Sequence, residues 1–141
     1  MDFPVSCAYG ADETYAQALE FPEIRVMNHG ASGVWQIANT NTSSPTANAL
    51  LDFSATCFYT ALHLKQNIPA FKNVPLGLVR SSAGGQCIER FMTAEALEAV
   101  GVPDVNATGF SCNQTSHTLY DMLIAPLLPF VFKAMIWYQG K

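Results

Sequence analysis

The sequence predicts an α/β fold, and three observations carry that expectation. Short apolar runs with β-type composition, at 24–27, 74–79 and 133–138, alternate with segments of helical patterning. The longest helical stripe, over 48–67, separates the first two runs, the order expected of a parallel α/β architecture. Half of the 141 residues are hydrophobic and 13% are charged. A chain of that size and composition buries roughly 70% of its unfolded surface, enough for one core. One partial domain over 1–141 is the expected organisation.

Taken in order, residues 11–19 read as a short helix with Asp12 as the candidate N-cap. Pro22 stops it, and Ile24-Arg25-Val26-Met27 follows as a strand. Residues 28–48, rich in Asn, Thr, Ser and Gly, read as a long loop. Leu51, Ala55, Phe58 and Leu62, with Tyr59 and Leu64, form a helical stripe of about five turns that Pro69 ends. Residues 74–79 are the pattern of a strand buried on both faces. A small-residue loop, Arg80-Ser81-Ser82-Ala83-Gly84-Gly85, comes next, and a short helix starts within 88–91. Thr93 is placed to cap a helix over 94–100, with Gly101 as its C′ stop. Residues 102–116 read as loop and 119–125 as helix, terminated by Pro126 and Pro129. Residues 133–138 read as a second buried strand, and Gln139-Gly140-Lys141 opens a loop.

Composition narrows the function classes. The net charge is −4 and the seven Lys and Arg residues are scattered, which argues against a nucleic-acid partner. The most apolar stretch, 119–138, carries Asp121, Lys133 and two prolines. Its longest uncharged run, 122–132, is 11 residues, too short to span a bilayer. The sequons at Asn41, Asn106 and Asn113 exceed the roughly one expected by chance, which leans toward glycosylation in a secreted or lysosomal protein, with ordinary Asn/Thr-rich loops as the alternative. Residues 1–4 carry no signal-peptide pattern, so a secreted protein with this sequence is expected to extend further N-terminally. Cys7, Cys57, Cys87 and Cys112 contain no C-x-x-C pair, which argues against a zinc knuckle, and their pairing is not readable from sequence.

Chemistry is expected at the carboxyl ends of the strands. Two such ends are visible, Ser81-Ser82-Ala83-Gly84-Gly85 and Gln139-Gly140, and the paired glycines of the first can present backbone amides to a developing oxyanion. From pattern alone, a ligand-free strand-to-helix turn explains a lone Gly-Gly better. Ser81 and Ser82 lack a G-x-S-x-G context, since Arg80 stands where the first Gly would be. A structural role in the loop fits them better than that of nucleophile. His29, His63 and His117 have no acid at triad-like spacing. No metal, P-loop or dinucleotide motif is present, so no cofactor is expected.

Several runs together resemble the sialate O-acetylesterase family. They are Asp52-Phe53-Ser54-Ala55-Thr56-Cys57-Phe58, residues 74–89 (VPLGLVRSSAGGQCIE), Met122-Leu123-Ile124-Ala125-Pro126-Leu127 and above all Ile136-Trp137-Tyr138-Gln139-Gly140. Leu97 to Pro103 (LEAVGVP) is similar to the animal-type branch. The resemblance spans nearly the whole chain in order and spacing. It implies an SGNH hydrolase with a three-layer α/β/α, flavodoxin-like fold. The implied activity is removal of O-acetyl groups from sialic acids: a Ser attacks the acetyl carbonyl, a His takes its proton, and an Asp orients the His. Backbone amides and an Asn side chain stabilise the oxyanion. The implied partner is an O-acetylated sialoside or a related sugar ester; no oligomeric state is implied.

The sequence also departs from the family. The family's nucleophile motif is Gly-Gln-Ser-Asn-Met, and Met1-Asp2-Phe3-Pro4-Val5 resembles its continuation, which would put the Ser two residues before Met1. The family's Trp-Tyr-Gln-Gly-Glu-Ser-Asn is matched only through Gly140, without the oxyanion Asn, and the Asp-x-x-His motif has no counterpart. Gln86 and Cys87 replace the usual Thr-Pro. The expected product is therefore an inactive piece of an esterase that retains Gly84, Gly85 and Gly140 of the oxyanion cradle. A non-catalytic glycan-binding module and an acetylesterase of another polysaccharide are the alternatives. The expected sheet is incomplete, with strands 24–27 and 76–80 flanking an empty slot and the isolated chain marginal or insoluble as a result.

Overall fold

The computed structural model describes residues 3–30, 33–38, 50–101 and 118–138. The chain forms two compact units, Asp2–Arg80 and one made of Ser81–Lys141 with Met1.

In Asp2–Arg80 the elements are α1 (Ala11–Ala18), β1 (Ile24–Asn28), β2 (Gln36–Ile37), α2 (Ala55–Asn67) and β3 (Leu76–Arg80). The sheet order is β2-β1-β3. β1 and β3 are parallel, in register from Ile24 opposite Leu76 to Asn28 opposite Arg80. The bonds Leu76 N–H to Glu23 O (3.2 Å) and His29 N–H to Arg80 O (2.8 Å) extend the pair at its two ends. This is an incomplete α/β fold, as the sequence predicts. The expected empty slot between these strands is corrected: they pair directly. Two parallel strands joined through a helix each present unpaired N–H and C=O groups, and pairing with each other satisfies both rows.

A second correction concerns 28–48. Part of this predicted loop is a strand, because β2 pairs antiparallel with the other edge of β1, Arg25 opposite Ile37 and Val26 opposite Gln36. The sheet is therefore mixed. β3 is also shorter than predicted and half-buried rather than covered on both faces. Leu76 and Leu78 pack on the core, while Gly77 points the other way and leaves room for Trp35. A Cβ at Gly77 would lie 3.1 Å from the Trp35 indole.

The helices follow local signals, with shifted bounds. α1 starts at Ala11 and places Asp12 in its first turn rather than at the cap. α2 starts at Ala55, seven residues later than its stripe predicts, because Ser54 caps it by accepting from Cys57 N–H at 3.4 Å. The preceding residues pair elsewhere: Val5 N–H donates to Phe53 O (2.9 Å) and Ala55 N–H to Phe3 O (2.8 Å). Ala55, Phe58, Ala61, Leu62 and Lys65 form the buried face of α2. The first four join Ile24, Val26, Val5, Leu50 and Phe53 in the core. Each fully buried large side chain contributes about 1.5–3 kcal/mol.

Lys65 ends that buried stripe with its charge satisfied. Its Nζ donates to Glu23 Oε1 (2.6 Å), Val74 O (2.5 Å) and Lys72 O (3.4 Å). Three N–H groups meet three acceptors. Glu23 precedes β1, and Lys72 and Val74 precede β3, so one ammonium ties the amino ends of both parallel strands to α2. The Lys65 hydrogen bond is also the main reason the Glu23 carboxyl is held below its ordinary pKa.

In Ser81–Lys141 a 3₁₀ turn at Ile88–Phe91 leads to α3 (Ala94–Ala99). Thr93 caps α3 by accepting from Ala96 N–H (3.1 Å), as predicted. Gly101 ends it at φ +66, with its N–H on Glu98 O at 3.0 Å. A π-helical turn, Tyr120–Ile124, and a 3₁₀ turn, Ala125–Leu127, realise the predicted helix over 119–125. The predicted buried strand at 133–138 is corrected: residues 131–138 form no strand, and every one of them is exposed, Val131 at 95% and Met135 at 79%. A β-type sequence becomes a strand only where another strand's edge meets it. No described helix is long and apolar enough to cross a membrane.

Candidate functional site

The chain leaves β3 at Arg80 and turns through Ser81, Ser82, Ala83, Gly84 and Gly85. Gly84 and Gly85 form the turn, and both are exposed. Gly85 holds φ +71, a left-handed conformation that costs an L-residue about 1–2 kcal/mol. An added Cβ there would meet open space, so conformation rather than crowding calls for glycine. Among the described residues, neither the Gly84 nor the Gly85 N–H donates to a backbone carbonyl. Two such amides on a turn after a parallel strand can stabilise a developing negative oxygen.

The loop is anchored on both sides. Ser81 Oγ donates to Leu123 O at 2.6 Å, which commits its proton to a carbonyl and fits the structural role predicted for it. Gln86 Nε2 donates to Gly84 O at 3.3 Å, and Gln86 Oε1 accepts from Arg90 Nη1. Arg90 is buried and also donates from Nη2 to Thr118 Oγ1 at 3.0 Å. Cys87, one residue further, is disulfide-bonded, whereas Cys7 and Cys57 are free thiols. Sequence reasoning passed over Gln86 and Arg90 as a pair: Gln86 precedes the 3₁₀ turn Ile88–Phe91, so no helical spacing links the two.

The carboxyl ends of β1 and β3 carry a second polar group. Arg80 Nη1 donates to Asn28 Oδ1 at 3.3 Å, and burial lowers the guanidinium pKa. His29 follows β1 and is half-buried, while His63 lies on the exposed side of α2, where its ring meets Asn67 Nδ2 at 3.2 Å. Gly140, Asn41, Asn106, Asn113, Cys112 and His117 lie outside the described residues. Among the described residues no cluster of three His, Cys, Asp or Glu side chains could hold a metal ion.

No family model matches the chain. It is similar to the sialate O-acetylesterase of Homo sapiens, 32% identical over 91 residues, covering 62% of this chain and 17% of that protein. The Pongo abelii sialate O-acetylesterase gives the same identity and coverage. The Mus musculus protein is 29% identical over 133 residues, covering 70% of this chain and 24% of its own length. Among solved structures, a carbohydrate acetylesterase from Xanthomonas citri superposes with a TM-score of 0.72 at 29% identity, covering 99% of this chain and 30% of that one. The class to which fold and sequence are similar is thus the carbohydrate acetylesterases, hydrolases of carboxylic esters. Within that class the resemblance is to sialate O-acetylesterase in particular, and the chain spans 17% to 24% of the length of these curated relatives.

Proposed function

We propose that this chain is part of a carbohydrate O-acetylesterase that hydrolyses O-acetyl esters of sialic acids, and that its Gly84–Gly85 turn contributes amides to the oxyanion hole. The observation that carries the reading is this turn. It follows a parallel strand, holds Gly85 at φ +71 and leaves two exposed N–H groups without backbone acceptors among the described residues. Attack on an acetyl carbonyl places negative charge on its oxygen, and preorganised donors lower that barrier. Gly140, by its place in the Trp-Tyr-Gln-Gly run, is proposed as a further donor. The resemblance matches no nucleophile or base motif to the 141 residues, and the proposed state of this polypeptide alone is inactive on that ground. A secreted or lysosomal location belongs to the same reading, supported by the sequons and the bonded state of Cys87.

The test is a substrate panel on the protein with its full transcript sequence. Release of acetate from O-acetylated sialosides, with kcat/KM about tenfold or more above that on acetylated xylan, is the expected result. The reverse preference would make it a polysaccharide acetylesterase. Binding of sialosides without turnover would make it a glycan-binding module. In the active protein, Gly85→Ala should lower kcat by about tenfold or more at little change in KM, since it strains the turn that aims the donors. Enzymatic acetate release by the 141-residue polypeptide would overturn the proposed inactivity.

A further inference from the structure

We propose that Gln86 and Arg90 are positioning residues that aim the Gly85 amide into the oxyanion site, an inference that rests on the esterase reading above. The argument starts from donor and acceptor types. A guanidinium has only donors, so Arg90 fixes which end of the Gln86 amide faces it: the oxygen. That leaves Gln86 Nε2 to donate, and it donates to Gly84 O at 3.3 Å. The Gly84 carbonyl and the Gly85 N–H belong to one planar trans peptide and point in opposite directions. Holding the carbonyl toward Gln86 therefore turns the Gly85 N–H to the other side of the loop. Arg90 can hold this orientation because it is itself fixed: it is buried, it lies in the 3₁₀ turn Ile88–Phe91, and its second nitrogen donates to Thr118 Oγ1 at 3.0 Å. The order of the relay is buried cation, side-chain amide, glycine carbonyl, glycine N–H. A glycine pair has few steric constraints of its own, so its orientation needs such an outside hold.

Gln86→Glu separates positioning from folding. The carboxylate still accepts from Arg90, more strongly than the amide does, but it has no donor for Gly84 O. In the protein with its full transcript sequence, the expected result is a Gly85 amide 15N order parameter that drops from the rigid range, about 0.85, to below about 0.6, and kcat about tenfold lower, with KM within about twofold. Arg90→Lys, which keeps a donor but loses the fork, should move both readouts in the same direction by a smaller amount, with kcat about threefold lower. A loss confined to protein stability, with the Gly85 order parameter and kcat unchanged in the folded fraction, would overturn the relay. Should Gln86→Glu not fold, Gln86→Leu gives the same order-parameter test, and an unchanged value in it overturns the relay as well. A lowered Gly85 order parameter in a protein whose wild type hydrolyses no acetyl ester would leave the positioning intact and remove the esterase reading instead.

Discussion

The two units treat apolar sequence differently. In Asp2–Arg80, β1 is paired on both edges, α2 lays an apolar face on the sheet, and Phe53, Phe58, Ile24, Leu50, Val5 and Val26 are fully buried. In Ser81–Lys141, Leu97, Leu119 and Leu123 are buried, but Phe130, Val131, Phe132, Met135, Ile136 and Trp137 are exposed. Both regions carry β-branched and aromatic residues in strand-like runs. The difference is that β1 and β3 each meet a complementary edge, while residues 131–138 meet none among the described residues. Helices close their hydrogen bonds within themselves, whereas strands must find theirs elsewhere.

The sharpest way to break this comparison is truncation in each unit. Phe58→Ala should destabilise the protein by about 3–5 kcal/mol through lost burial and the cavity left behind. Met135→Ala, at a side chain 79% exposed, should change stability by about 0.5 kcal/mol or less. Denaturant titration of the two variants gives the contrast, and similar costs would show that 131–138 is packed after all. Next in size is Lys65→Met, which keeps the apolar stem but leaves Val74 O and Glu23 without their cation, at a cost of about 1–3 kcal/mol by the same titration.

Thr93→Ala should cost about 1 kcal/mol, the ordinary value of a helix cap. Its effect should appear as faster amide exchange confined to α3, with the exchange of β1 unchanged. A smaller pH effect sharpens the view of Asp2–Arg80. The folded-state pKa of Glu23 lies below its ordinary 4.5, chiefly because of the Lys65 hydrogen bond. A carboxyl shifted down stabilises the fold above its unfolded pKa, and that contribution disappears as pH falls through the lowered value. The thermal midpoint of Glu23→Gln should therefore approach that of the wild type as the pH is lowered from 7 to 3. The last difference is chemical: burial pushes the Cys57 thiol up to about 11, so only about one molecule in a thousand is thiolate at pH 8. Iodoacetamide at that pH should label exposed Cys7 well before Cys57, as read by peptide mass spectrometry.

The candidate site was legible in part. Gly84 and Gly85 stand out in sequence as paired glycines after an apolar run, and the left-handed φ at Gly85 accounts for the glycine there. Gln86 and Arg90 did not stand out, because a Gln and an Arg four residues apart are ordinary on any exposed helix. What distinguishes them is the burial of Arg90, and burial depends on residues distant in sequence, here Thr118 across 28 positions. Lys65 was hidden for the same reason: a lysine at the end of an amphipathic stripe reads as a solvated charge. Its acceptors come from Glu23 and from the carbonyls of Lys72 and Val74.

By itself the sequence determined the features whose energetics are local. These are the cap and stop of α3 at Thr93 and Gly101, the apolar face of α2 through Ala55, Phe58 and Leu62, and the placing of the Gly84–Gly85 turn. Tertiary structure decided which strands exist and whom they pair with. It joined β1 to β3 across the expected gap, made an edge strand of Gln36–Ile37 and left 131–138 without one. The physical reason is that capping bonds and helical faces are fixed within a few residues. A strand's hydrogen bonds and a buried charge's partners come from wherever the folded chain brings an acceptor.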